Sequence, residues 1–258
     1  MASASSHEQQ VDKQFGQSAS AYLTSSAHAQ GADLQKLPLL LQGQGSAAVL
    51  DIGCGAGHVS FAVAPQVGHV TAYDLSVQML DVVAQEAARR GLRNIATRQG
   101  VAESLPFADA TFDCVLTRFS AHHWSDLSRS LVEIRRVLKP GGRFIAIDVM
   151  APAEPLFDTH LQCVELLRDV SHVRNYSHTE WERRLCAAGF AIDAHSRWKL
   201  PLEFQAWVTR MQTPADRVAV IRGLLANAPQ EVRDYLQLQP DCSFSLDVVM
   251  FEASLLPD

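Results

Sequence analysis

Paired cysteines are missing from this 258-residue chain: its five cysteines, at 54, 114, 163, 186 and 242, form no C-x-x-C pair and are odd in number. That pattern excludes a disulfide framework and a zinc knuckle, so no metal is expected and a reducing cytoplasm is. No apolar run approaches the roughly 18 residues that cross a bilayer. Met1 to Gln10 is polar and lacks the apolar centre of a secretion signal. A basic stripe is missing too: 22 Lys and Arg face 28 Asp and Glu, for a formal net charge of −6. The densest basic groups, Arg89-Arg90 with Arg93 and Arg135-Arg136 with Lys139, fall on expected helix surfaces, where charge is ordinarily solvated. Neither a nucleic-acid partner nor a membrane span is therefore expected. Repeats and low-complexity tracts are also lacking. What is present is 47% apolar residues, enough for one large domain or one domain with an inserted cap.

Strand and helix patterns alternate through the first two thirds. Residues 11–42 read as helical, with Val11, Phe15, Tyr22 and Leu23, then Leu34, Leu37, Leu40 and Leu41, making apolar faces. Strands are predicted at 47–52, 69–73, 95–99, 112–118 and 143–149, with helices at 58–66, 77–90 and 126–138 between them. Ser76 is a good N-cap and Gly91 a good C-terminal stop for the second of these helices. Short connections between alternating β and α imply an α/β fold with a doubly wound, mostly parallel sheet. Beyond Met150 the pattern changes. A Pro-containing linker at 151–155 leads to helices at 156–170 and 179–188. Strand signals return at 190–195 and 244–253, and the intervening 203–237 looks mostly helical. These segments read as two last strands of the same sheet with helices inserted as a cap.

The run Val49-Leu50-Asp51-Ile52-Gly53-Cys54-Gly55-Ala56-Gly57 is the most informative. A buried strand ends in an acid and passes through a glycine-rich turn into a helix. Glycines at alternate positions let a ligand approach the backbone, and the helix aims its N-terminal amides at the same spot. A dinucleotide loop needs G-x-G-x-x-G; here His58 stands where the last glycine would be. Asp74 ends the second strand, where a carboxylate can accept both hydroxyls of a ribose or simply sit at the start of the next helix beside Ser76. Gly100-Val101-Ala102-Glu103 follows the third strand, as an adenine platform or as a plain loop. Arg136 to Arg143 ends one helix and turns sharply into the fifth strand, a structural role.

Together VLDIGCGAG, AYDLS, GVAESLPFAD, FDCVLTR and RVLKPGGRF resemble the class I S-adenosylmethionine-dependent methyltransferases. The likeness is greatest to the branch with the ubiquinone/menaquinone-biosynthesis enzymes and many small-molecule O-, N- and C-methyltransferases. It covers about residues 45–150 and more loosely 10–42. The resemblance implies a Rossmann-like, seven-stranded sheet with an antiparallel strand at its edge, and S-adenosyl-L-methionine as cofactor. It implies that Asp51 and the loop Gly53, Cys54, Gly55 and Gly57 hold the methionine part. Asp74 with Leu75 would hold the ribose, and Val101, Ala102 and Glu103 the adenine. It divides the chain into an N-terminal helical lid at 1–42, a cofactor-binding core at 43–150, and a cap with the last two strands at 151–258. The chain departs from the quinone enzymes at Arg118-Phe119-Ser120-Ala121-His122-His123-Trp124, where those enzymes usually carry a serine-phenylalanine-glycine run.

Methyl transfer from a sulfonium needs positioning and dryness more than functional groups, with a base where the acceptor must lose a proton. His123 and His122 lie where acceptors bind in such sheets and suit that role; otherwise they pack against adenine or Trp124 and cap a helix. Arg118 either faces the cofactor's methionine end or an anionic acceptor, or pairs with Asp51 or Asp148. Tyr22 is expected to close over the cofactor, and Phe15 to pack in the core. The polar run with His172, Arg174, Asn175 and Tyr176 lines the acceptor pocket or is a solvated loop. Trp181, Trp198, Trp207 and Met211 read as cap core, and Cys54 as a small filler with nothing to activate it. The expected partner is a small, planar or aromatic acceptor; a homodimer stays open. The competing readings are a NAD-type oxidoreductase, a protein of the same fold with non-methylating chemistry such as cyclisation or demethylation, and a binding protein that keeps the nucleoside site.

Overall fold

The structure is a computed structural model that describes residues 6–16, 23 and 31–256. Two helices come first, α1 (His7–Gly16) and α2 (Ala32–Leu40). Then β1 (Ala48–Ile52), α3 (His58–Val63), β2 (His69–Asp74), α4 (Val77–Arg90), β3 (Ile95–Gln99), β4 (Phe112–Arg118), α5 (Leu127–Val137) and β5 (Leu138–Ala151) alternate. The last third adds α6 (Pro155–Arg168), the short β6 (Tyr176–Ser177), α7 (His178–Ala187), β7 (Phe190–Leu202), α8 (Phe204–Arg210), α9 (Ala215–Ala226), α10 (Gln230–Tyr235) and β8 (Phe244–Leu255). The sheet runs β3-β2-β1-β4-β5-β8-β7, with β6 bridging to β5 off this path. β1 to β5 are mutually parallel, and β8 runs antiparallel between β5 and β7. The expected doubly wound, mostly parallel seven-stranded sheet is thus the observed one.

Local sequence explains most element boundaries. Asp126 caps α5 by accepting from the Arg129 amide at 3.0 Å, and Leu127, Leu131, Ile134 and Val137 are the buried stripe that the helix lays on the sheet. α4 spans 77–90 as the caps foretold, ending at Gly91 with φ +71°. Ser177 and Glu180 close a capping box on α7. The central strands are buried on both faces, as parallel sheets require. Leu50, Ile52, Val115, Phe144 and Ala146 face α5 and α7. Val49, Cys114, Leu116, Ile145 and Ile147 face α2 and α3 from the other side.

Three boundaries differ from the pattern reading. β5 begins at Leu138, because Leu138 already pairs with Phe112 before the chain bulges out and rejoins the ladder at Arg143 opposite Cys114. Gly141, at φ +76°, permits that bulge. β7 continues past residue 195 to Leu202, paired with β8 along its whole length. Its exposed Arg197 and Lys199 hide the strand in the sequence, and Pro201 is tolerated because β7 is the edge strand. The helices predicted within 203–237 resolve into α8, α9 and α10, which bury Trp207, Ile221, Leu225 and Val232 against the ends of β5 and β8. No described helix is long and apolar enough to cross a membrane.

Gly57 tests how tightly the first turn is built. It has φ +86°, and a Cβ there would approach Phe61 Cζ at 2.8 Å and Val83 Cγ2 at 2.9 Å. Gly57→Ala should therefore cost about 1–3 kcal/mol of stability, read from the urea midpoint; an unchanged midpoint would contradict this account of the turn.

Candidate active site

The chain leaves β1 toward β2 on one side and reaches β4 on the other, so the loops after β1 and β4 diverge and open a crevice at the carboxyl ends of the strands. A cleft of about 1060 Å³, counting its open mouth, occupies this point. Gly53 lets the two loops touch: it has φ +66°, and a Cβ there would run into Ser120 Oγ. The Gly53 and Cys54 amides donate to the Tyr73 carbonyl at 2.8 and 3.1 Å, which pins the glycine turn to the end of β2. Gly55, at φ +50°, has nothing within 4 Å of where its Cβ would be, so its backbone is open toward the cleft.

Two acids frame the turn. Asp74 accepts from the Gly55 amide at 2.8 Å through one oxygen and from the Ser76 amide at 2.9 Å through the other. Each oxygen keeps a lone pair for a further donor. Asp51 is buried and accepts from the Ser60 amide at 3.0 Å and the Ser60 hydroxyl at 2.6 Å. Burial pushes the Asp51 carboxyl up to about 7, against the pull of those two bonds, and the nearby Asp74 charge adds to the rise. The Cys54 thiol is likewise held well above its usual range by burial, then by Asp74 and Asp51, so it stays protonated.

Leu75, Val101, Ala102 and Glu103 line the same cleft. Tyr73 donates its hydroxyl to the Val101 carbonyl at 3.0 Å. Glu103 accepts from the Ser125 amide at 2.7 Å and from the Ser125 hydroxyl at 2.8 Å. Gly57 is not among the lining residues; it turns the chain against Phe61 and Val83 instead. Tyr22 lies outside the described residues. Arg118 lines the cleft, but its ion pair is with Asp33 at the start of α2, not with Asp51 or Asp148. Its guanidinium also stacks 4.6 Å from the Phe119 ring centre. Asp51 and Asp148 are bonded instead to Ser60 and His122.

A second cavity, about 600 Å³ with its mouth, adjoins the first and shares Phe15, Phe119 and His123 with it. Phe15, expected in the core, is a wall between the two. The second cavity has an apolar side of Val149, Leu200, Leu202, Trp207, Met211 and Leu246. Its polar side is His122, Glu165, Arg168, Asp169, Asn175 and Arg210. Trp207 thus reaches the cavity as well as the cap core, whereas Met211 lines the cavity and packs against Ala56 and Met79. Within the polar run only Asn175 lines it. Arg174 is tied to Asp158 and Glu180. Tyr176 is buried beside Trp181. His172 sits behind the other two histidines, 5.7 Å from the His122 ring centre, with its Nε2 against Gln162 Oε1 at 2.9 Å.

The two histidines have different surroundings. His122 Nδ1 meets Asp148 Oδ1 at 2.6 Å, and its backbone amide donates to Oδ2 at 3.2 Å. Burial lowers the His122 pKa, but the Asp148 charge and hydrogen bond outweigh it, and the net shift is upward. His123 Nδ1 faces the Ser171 carbonyl at 3.1 Å. Burial first, and the His122 charge second, hold His123 below its ordinary value. His7 on α1 bonds the His123 carbonyl through Nε2 at 2.9 Å and so docks that helix on the loop. Asp148 escaped the sequence reading as a histidine partner, although an acid ending an apolar strand, as at Asp51, was the available signal.

An open parallel sheet of this order, with an acid-flanked glycine turn at its switch point and a second cavity beside it, defines a Rossmann-like methyltransferase. Residues 50–146 match the family model described as a methyltransferase domain. The chain is 52% identical over 201 residues to the uncharacterized protein YafE of Escherichia coli, covering 78% of this chain and 97% of that protein. It is 38% identical over 220 residues to the uncharacterized methyltransferase YcgJ of Bacillus subtilis, 85% of this chain and 87% of that one. The crystal structure of YcgJ matches with a TM-score of 0.84 and 35% identity, covering 87% of this chain and 98% of that chain. A demethylmenaquinone methyltransferase of Chlorobaculum parvum is 37% identical over 117 residues, 45% of this chain and 46% of that protein. The chain belongs to the class I S-adenosylmethionine-dependent methyltransferase family.

Because folding raises the Asp51 pKa from 3.8 to about 7, its ionised form destabilises the fold. That cost is absent below about pH 4, grows up to about pH 7 and is constant above. The melting-temperature gain of Asp51→Asn over the natural chain should follow the same course; a gain independent of pH would refute the assignment.

Proposed function

We propose that this protein transfers a methyl group from S-adenosylmethionine to a small, planar or aromatic molecule in the cytoplasm. The observation that supports it most is the pair of adjoining cavities, one framed by acids and glycines and the other with an apolar and a polar side, with Phe15, Phe119 and His123 between them. The residues fit the cofactor. Gly55 leaves its backbone open to the cleft, and Asp74 keeps acceptor capacity at the end of β2. In this reading Asp51 and Gly53 to Gly55 hold the methionine part, Asp74 and Leu75 the ribose, and Val101, Ala102 and Glu103 the adenine. When bound, the cofactor supplies a methyl group already activated on a sulfonium.

The chain's own work is positioning, exclusion of water and management of one proton. The apolar side of the second cavity holds the acceptor's skeleton and keeps water from its reacting atom. Phe119 has φ +52°, a strained conformation for an aromatic residue, held where its amide donates to the Ile147 carbonyl at 2.8 Å. In this reading its ring, which lines both cavities, stands between the two ligands. Of the two candidate bases, His122 is the better placed, because Asp148 both orients its ring and favours the protonated product. His123 then serves as a neutral wall at the junction.

Calorimetric titration tests the reading. S-adenosylmethionine should bind and NADH should not. Asp74→Ala should weaken S-adenosylmethionine by about tenfold or more, since losing a charge-assisted contact costs roughly 1.5–3 kcal/mol. An affinity within about a factor of two of the natural chain's would remove Asp74 from the ribose site.

A further inference from the structure

We propose that Asp51 carries a proton in the free chain and gives it up when the cofactor's ammonium arrives, so that cofactor capture and proton release are one event. This rests on the methyltransferase reading and adds to it a pH-dependent control of the same site.

Asp51 is placed unlike the other acids of the cleft. It is 1% exposed and lies at the centre of the sheet, paired with Ala72 on β2 and Leu116 on β4. Both of its bonds, from the Ser60 amide and the Ser60 hydroxyl, end on Oδ2. Oδ1 accepts nothing from the described residues, yet the protein does not seal it in, and Asp51 lines the cleft. Oδ1 is therefore the atom that opens toward a ligand. Asp74 instead divides two amide donors between its oxygens, and Glu103 is half-buried with Ser125 and Asp126 donating to it.

The cleft's arginine does not answer Asp51, because Arg118 pairs with Asp33. Burial acts on Asp51 most, and after the two Ser60 bonds the Asp74 charge pushes it up more than the Arg118 charge pulls it down. A carboxyl this deep, with donors on one oxygen alone, is cheaper to keep neutral than charged. The cofactor's ammonium is the cation that reverses the balance, by donating an N–H to Oδ1 and fixing a positive charge beside it. The carboxyl O–H bond breaks, its proton leaves through the mouth of the cleft to solvent, and no bond of the cofactor changes.

The sign follows from the free acid's value of about 7. Below it the cofactor must displace a proton, so affinity falls as pH falls; just above it Asp51 is already ionised and the ammonium is still charged, up to about pH 8. The charged or titratable groups nearest in influence are Asp74 ending β2, Arg118 ending β4 and the Cys54 thiol, which stays protonated. His7 and Glu8 on α1, His58 on α3, Tyr73, Glu103 and His123 stand around the same cleft. All of these titrate in Asp51→Asn too, which fixes position 51 in the shape of the protonated acid, so the difference between the two chains isolates Asp51.

Calorimetric titration of the full chain with S-adenosylmethionine, in two buffers of different ionisation enthalpy, counts the protons released. At about pH 6 the natural chain should release about 0.9 proton per cofactor bound, and Asp51→Asn at most about 0.2. From about pH 7.5 to 5.5 the natural chain's affinity should fall roughly tenfold or more, while that of Asp51→Asn stays within about threefold. 5′-Methylthioadenosine, which lacks the ammonium, should release no proton from either chain. Ser60→Ala, which removes a donor to the ionised form, should move the midpoint of proton release upward by about half a pH unit or more. Circular dichroism confirms that each variant folds, and Ser60→Ala carries the test if Asp51→Asn does not. The proposal is overturned if fewer than about 0.3 proton is released at about pH 6, if Asp51→Asn leaves the count unchanged, or if 5′-methylthioadenosine releases as many. A chain that binds no S-adenosylmethionine at any pH would sink the methyltransferase reading and this proposal together; one that binds it without releasing a proton would sink this proposal alone.

Discussion

The contact between Gly53 and Ser120 sets the geometry on which both cavities depend. Parallel strands carry the chain away from the β1–β4 junction in opposite directions, and the crevice between their loops is as wide as that contact allows. With no side chain at Gly53, the Ser120 loop comes down onto the end of β1. This brings Arg118, Phe119 and the two histidines over the glycine turn. A bulkier residue would part the loops and leave two unconnected hollows.

Around this contact the fold concentrates buried charge, which is costly unless partnered. Most of the partners come from other elements. Arg118 on β4 meets Asp33 on α2, and His122 meets Asp148 on β5. Asp51 on β1 meets Ser60 on α3, and Asp169 meets Ser171 in the loop after α6. The His122 pairing ties the loop after β4 to β5, and the Arg118 and Asp51 pairings tie strands to α2 and α3, so the site is held by rigid elements although many of its residues are on connections. The first cleft and the second cavity draw on different parts of the chain. The first is made from residues up to Ser125, and the second relies on β7, β8 and the helices inserted around them. A common cleft with a variable neighbour suits a fold whose members differ mainly in what they methylate.

The core of the fold was legible because its signals are local. The caps of α4 and the apolar stripe of α5 act over a few residues, and so do the buried runs of β1, β2 and β4. Their bounds in the structure fall within a residue of those read from pattern. The glycine turn, Asp51, Asp74 and Val101 to Glu103, which line the first cleft, were picked out for the same reason. The extension of β7 to Leu202 was not, because half its residues face solvent on an edge and its pairing partner lies more than forty residues away in sequence.

By itself, the sequence determined an alternating α/β sheet, a nucleoside-type turn, and the acids that flank it. Strand periodicity and turn chemistry are written in neighbouring residues. Only the tertiary structure decided that Phe15 divides two cavities, that Arg118 answers to Asp33, and that Asp148 holds the His122 ring. It alone brought Asn175 to the wall of the cavity that His122 also lines. Those relations join residues 26 to 108 positions apart, and distance along the chain leaves no local mark. They exist because burial forces each polar group to find a partner wherever the fold puts one within reach.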